Sequence, residues 1–266
     1  MTPKDPMPAD QPTGRLSDPT TQHGPSMYPT YVRTMIIGII LLIALIHFGF
    51  YRTYVSHFPS FTAKEVEGYG PVSFNAVKHI HGMIMMAWVL MLLLQPILIR
   101  AKKMTAHKWV GRASYVLAPL VLFSIYIINR HAYNGVHAAL GETQARALLS
   151  LVFPAFVFFA ILYSLAIIYR HKPYLHMRFM ASTAFLFIPP AMDRALLAYW
   201  QLPGYDIGSI IELSIIGVVI IGDSLLTKRL SPFILVFGFE LLHKICWHSR
   251  ESDWWQAIAG VISKIF

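Results

Sequence analysis

The chain has 266 residues, 56% hydrophobic and 13% charged, with a mean hydropathy of +0.53. That is more apolar side chain than a soluble core of this size buries, which excludes one or two water-soluble domains in favour of a membrane bundle. The formal net charge of +9 does not mark a nucleic-acid partner, because Lys and Arg gather in short loops between apolar runs. Cys246 is the only cysteine, so an intramolecular disulfide, a thiolate metal knuckle and an iron–sulfur cluster are excluded.

Residues 1–33 hold Pro3, Pro6, Pro8, Pro12, Pro19, Pro25 and Pro29 among polar side chains and read as a disordered cytoplasmic tail. The first apolar run, 34–53, lacks a small-residue cleavage site after Phe50 and reads as a retained signal anchor. Further runs at 77–99, 110–129, 147–169, 178–199 and 207–226 have spanning length, and a shorter one covers 232–247. The expected fold is an all-α polytopic transmembrane bundle of about seven spans, one domain over 34–250.

Particular elements carry further expectations. Gly111, Ser114 and Ala118 form a small-residue stripe that predicts close helix packing around the third run. Pro189 and Pro190 should kink or interrupt the fifth. The seventh carries Glu240, His243 and Lys244 and is either a short buried span or an element that dips and returns. Residues 251–266 place Asp253 as an N-cap with Gln256 three positions on, then Trp254, Trp255, Ile258, Val261, Ile262 and Ile265 at helical spacing, predicting an amphipathic interfacial helix.

Loop charge gives orientation. Arg100, Lys102, Lys103, Lys108 and Arg112 follow the second run, Arg170, Lys172 and Arg178 the fourth, and Lys228 and Arg229 the sixth, all on one side if the spans alternate. By the positive-inside bias that side, and with it the N-terminus, is cytoplasmic.

Functional expectations rest on ionisable groups inside apolar runs: His47, Asp193, Glu212, Glu240 and His243. Each costs on the order of 2 to 3 kcal/mol to carry into hydrocarbon, so an interaction should offset it. An outer belt of histidines, His47, His57, His79, His81, His131, His137, His243 and His248, is expected to bring His47, His81, His131, Glu240 and His243 together as ligands of a divalent metal such as Zn, Fe or Cu. Asp193, Arg194 and Glu212 would support them from behind. Glu240 and His243 have the Glu-x-x-His spacing of carboxylate metal bundles, although Glu240 could equally pair with Lys244 and Asp193 with Arg194.

A cytoplasmic set holds His107, His171 and His176, of which His107 and His176 could face one another as axial ligands of a haem b. Helices that carry two haems space their histidines by about 14 residues, close to 20 Å. His107 and His131 are too far apart for that, which leaves a single haem near one surface.

The stretches His107-Lys-Trp-Val-Gly111-Arg112 and His176-Met-Arg178-Phe179-Met180 resemble paired signatures, H-x-x-x-G-R and H-x-R-F-M, of a family of uncharacterised bacterial multi-pass membrane proteins. Similar His-plus-Arg helix starts occur in proteins that assist haem-copper oxidase assembly and, more distantly, in b-type cytochromes. The resemblance covers about residues 77–195 and implies a bacterial inner-membrane protein in which His107 and His176 act through haem or metal. It implies no reaction. Extra C-terminal spans and the outer histidine belt depart from the better known groups.

No phosphate loop, G-x-S-x-G elbow or H-E-x-x-H motif occurs, so no catalytic residue is assigned. The leading expectation is a metal- or haem-binding protein of the bacterial inner membrane, acting in redox chemistry or as an accessory subunit of a respiratory complex. The alternatives are a membrane metallohydrolase acting on a lipid amide or ester, with Asp193 or Glu212 as base, and a proton or small-molecule carrier. Expected partners are the lipid bilayer and either a membrane complex or a second copy.

Overall fold

The structure, a computed structural model, describes residues 28–266. Residues 1–27, most of the predicted tail, lie outside the described residues, and the remainder of that tail is already helical. Helix α1 runs Tyr28–Tyr51 and α2 Ala76–Arg100; α3 is Met104–Leu140, α4 Glu142–Ile168, α5 Pro173–Phe185 and α6 Ile188–Trp200. They are followed by α7 at Gly204–Thr227, α8 at Ile234–His248 and α9 at Asp253–Ile262. Helix α1 starts earlier than hydropathy suggested because Tyr31 and Val32 are docked on the bundle rather than solvated.

Among the described residues, α1, α2, α3, α4 and α7 are long and apolar enough to cross a membrane. Outward-facing Leu41, Val116, Phe123 and Val218 are exposed, as a bilayer environment requires. The expected fifth span is two helices of 13 residues, and the seventh is a helix of 15. The interruption at Leu186–Phe187 lies just before Pro189 and Pro190, which occupy the first turn of α6, where a missing N–H costs least.

Two elements depart from the expected pattern. Helix α3 continues 11 residues past the predicted boundary at 129, so His131 lies on the helix rather than after it. Between α1 and α2 the chain forms an antiparallel hairpin, β1 at Lys64–Val66 and β2 at Gly70–Val72, paired Lys64 with Val72 and Val66 with Gly70. Gly68 and Gly70 have φ of 78° and 98°, which suits a tight turn. The hairpin buries Val66 and Val72 against Ala198 of α6 and caps one end of the bundle, the hairpin end. The opposite, basic end carries the Lys- and Arg-rich turns.

The core forms around Trp88 of α2, fully buried, whose indole donates to Thr183 Oγ1 at 3.2 Å and meets the Phe159 ring edge-on at 5.0 Å. Ala118 and Val121 of α3 are completely buried beside it; of the small-residue stripe, Ser114 and Ala118 are buried, whereas a Cβ at Gly111 would meet only Gln95 Nε2 at 3.8 Å. Gly49 permits the close approach of α1 and α6, since a Cβ there would overlap the Ala191 backbone. Helix α9 packs on α4 through Trp255, Ala259 and Ile262, and the Trp255 indole donates to Arg146 O at 3.1 Å. Its N-cap position is Ser252, not Asp253, and Gln256 donates to Thr143 O and Arg250 O instead of closing a capping box.

Candidate functional site

Alternation of the helices brings the starts of α3 and α5 together at the basic end, each one turn beyond a short basic loop. His107 and His176 therefore lie within electrostatic reach of one another. The His176 Nδ1 is 2.8 Å from Ala166 O. A carbonyl only accepts, so Nδ1 carries the hydrogen and the Nε2 of the neutral ring keeps its lone pair.

His107 is arranged in the complementary way. The Gln95 backbone lies within hydrogen-bonding reach of its ring, while its Nδ1 is buried with no partner. The Gln95 side chain is also orphaned: both Oε1 and Nε2 are buried and unpartnered. Gly111, one turn after His107, leaves its Cβ position open except for Gln95 Nε2 at 3.8 Å. The His107 imidazole and the Gln95 amide thus lie together with unused hydrogen-bonding capacity, with His176 in electrostatic reach, an arrangement that calls for an account because buried polar groups are nearly always satisfied.

The expected outer ligands occupy separate places. His47 is exposed on α1 with its ring 5.8 Å from Tyr51. The His131 Nε2 accepts from the Asn75 amide at 3.1 Å on the exposed surface, and the Asn75 Oδ1 caps α2 by accepting from Lys78 N. His81 Nδ1 donates to Ser124 Oγ at 3.1 Å, whose own hydroxyl donates to Val121 O. Arg194 lies within electrostatic reach of His81 and Lys78, donates to Pro190 O, and stacks over Phe50 at 4.5 Å. Asp193 packs against the Gly204 backbone.

Glu240 and His243 do come together, with Nδ1 and Oε2 3.4 Å apart, and His243 Nε2 sits 2.8 Å from Leu151 O. Both ring nitrogens of His243 are thereby engaged. Glu212 faces Glu240 across the α7–α8 interface. Lys244 bonds to Ser209 Oγ at 2.7 Å, so that ammonium is engaged across to α7. Among the described residues, no group of three or more His, Cys, Asp or Glu side chains is arranged to hold a metal ion.

A second ionic centre was not anticipated. Arg178, 2% exposed, donates from Nε to Asp223 Oδ2 at 2.9 Å and from Nη2 to Oδ1, and from Nη1 to Tyr174 O at 2.9 Å. Asp223 also accepts from the Tyr31 and Ser231 hydroxyls. The guanidinium lies over the Tyr174 and Tyr31 rings at 3.8 and 4.6 Å. This cluster ties α1, α5 and α7 together next to the His176 helix start. Its signal in the sequence was Asp223, an acid inside an apolar run shortly before Lys228 and Arg229.

In the connection between α1 and α2, the Tyr54 hydroxyl and His79 Nδ1 are 2.5 Å apart beneath Phe61 and Phe74, and burial pushes the Tyr54 phenol up from its ordinary pKa. No protein-family model, curated protein or solved structure matches this chain.

Proposed function

We propose that this chain is a bacterial inner-membrane protein that binds a haem b, or failing that a divalent metal, through His107 and His176, and serves redox chemistry or a respiratory complex as an accessory subunit. One observation carries the reading. Two imidazoles from separate helices lie within electrostatic reach, each with one ring nitrogen engaged by a backbone carbonyl, and His107 adjoins the orphaned Gln95 amide. Such outer hydrogen bonds are what orient ligating histidines.

The donor set fits the group. His107 and His176 would hold the group, since a histidine pair suffices for a haem iron, whereas a closed structural zinc site would need about four ligands. The Gln95 amide, buried and unpartnered, would be available to a polar edge of the bound group. Bound iron would supply one-electron chemistry there. The chain's own contribution is orientation and a low-dielectric shell.

The topology that accompanies this reading has seven spans, with α5 and α6 together as one and α8 as another, the N-terminus cytoplasmic and α9 along the interface. The loop-charge bias supports the orientation, and exposed Trp254, Ile258, Val261 and Ile265 support the interfacial helix.

The test is the visible spectrum of protein purified from membranes. A Soret band is expected, and His107→Ala and His176→Ala should each abolish it. Identical spectra in parent and both variants would remove the proposal.

A further inference from the structure

Where α7 and α8 pack, the polar side chains form rungs. Asp206 Oδ1 meets His248 Nε2 at 3.4 Å, Ser209 meets Lys244 at 2.7 Å, and Glu212 faces Glu240. Positions 206, 209 and 212 descend α7 at i, i+3, i+6, and 248, 244 and 240 climb the antiparallel α8 at intervals of four. The track begins on side chains about half exposed and ends on Glu212 and Glu240, 1% and 4% exposed, about 9 Å along α7 and about 12 Å along α8.

The inner end contains a proton by hydrogen-bond accounting. Leu151 O only accepts, so His243 Nε2–H donates to it and the neutral ring offers only a lone pair at Nδ1. Glu240 Oε2 lies 3.4 Å from that lone pair. Two acceptors do not attract, so one proton stands between them, on the carboxyl or on the ring.

Two further atoms point to exchange. Glu212 Oε1 and Glu240 Oε1 are both buried without a hydrogen-bond partner. We infer that Glu240, with His243 and Glu212, is a proton-loading site inside the bundle, connected through the Ser209–Lys244 and Asp206–His248 rungs to water at the hairpin end. The proton comes from that water, forms an O–H bond on a Glu240 oxygen, is shared with His243 Nδ1 or Glu212, and leaves by the same rungs, with no change of oxidation state. Lys244, one turn outward on α8, bonds Ser209 Oγ and forms the first rung beyond the carboxyls.

The groups facing this site are few. Tyr205 stacks edge-on against His243 at 5.7 Å and Cys246 lies one turn from it on α8. Helix α4 contributes the Leu151 carbonyl and the Phe158 ring, and α6 brings Asp193 to Gly204 beside the outer rung. The site is built from the middle of α7 and α8, not from the α3 and α5 starts that carry His107 and His176, and does not depend on what they bind.

Infrared spectroscopy of the full chain in lipid nanodiscs tests the inference. At neutral pH the parent should show a protonated-carboxyl stretch that shifts in deuterium oxide. Glu240→Gln should remove it, and Glu212→Gln should shift it; the second variant decides the matter if the first does not fold. Ser209→Ala and His248→Leu should keep the band but slow its deuterium exchange severalfold, and His107→Ala should change neither. A parent without the band, a band untouched by both Glu substitutions, or exchange equally fast in both rung variants would overturn the inference.

Discussion

Arg178 with Asp223 and Glu212 with Glu240 both place charge-bearing groups where almost none is exposed, yet the fold treats them in opposite ways. Around Arg178 the pairing is bidentate, a backbone carbonyl and two aromatic faces complete the guanidinium, and Asp223 takes hydroxyls from Tyr31 and Ser231. Around Glu212 and Glu240 two carboxyl oxygens find no partner and two acids face each other. A fully satisfied buried network fixes geometry, while an incompletely satisfied one leaves capacity for a proton or ligand. By that criterion the Arg178 cluster is a brace between α1, α5 and α7, and the His107–Gln95–His176 group belongs with the carboxylates as a place where chemistry is available.

Substitutions can break this contrast. Asp223→Ala should show the largest effect, about 3–5 kcal/mol of destabilisation in a thermal or denaturant melt, because it strands a buried guanidinium. A loss under about 1 kcal/mol would mean that Arg178 finds other partners and the brace is not one. Tyr31→Phe removes one hydroxyl from a charged acceptor and should cost about 1.5–3 kcal/mol in the same melt.

Gln95→Leu sharpens the other side of the comparison. An orphaned amide replaced by an apolar side chain of similar size should leave stability of the ligand-free protein within about 1 kcal/mol of the parent, or raise it. A larger loss would show that the amide is already well partnered. The smallest effect should come from Glu142→Ala, which breaks only an exposed i, i+4 pair with Arg146 and should move the melt by about 0.5 kcal/mol or less.

Hydropathy located every long helix, because a run of about 20 apolar residues has few other stable solutions in lipid. The prolines located the break between α5 and α6 for an equally local reason. The hairpin escaped notice since Lys64–Val66 and Gly70–Val72 are three residues each, too short for a period-2 pattern to stand out. At the candidate site, the H-x-x-x-G-R and H-x-R-F-M stretches point to His107 and His176, while Gln95 is legible only as part of the polar and polarisable face of α2, with His81, Met85 and Trp88, that its helical spacing turns inward, with nothing local to join it to the histidines. Asp223 was overlooked because its neighbours Lys228 and Arg229 read as topological charge.

What the amino-acid order determined by itself is therefore the helical, lipid-compatible character of the chain, the position of its breaks, and which side chains would be costly in hydrocarbon. Whether those side chains meet was decided only by tertiary packing. His47 and His131 were expected to share a site with Glu240 and remain apart from it, while Ser209 and Lys244, ordinary in sequence, became neighbours. The physical reason is that hydropathy depends on each residue and its local neighbours, whereas convergence depends on the rotation of each helix about its axis, and that is fixed by how helices from distant parts of the chain interlock.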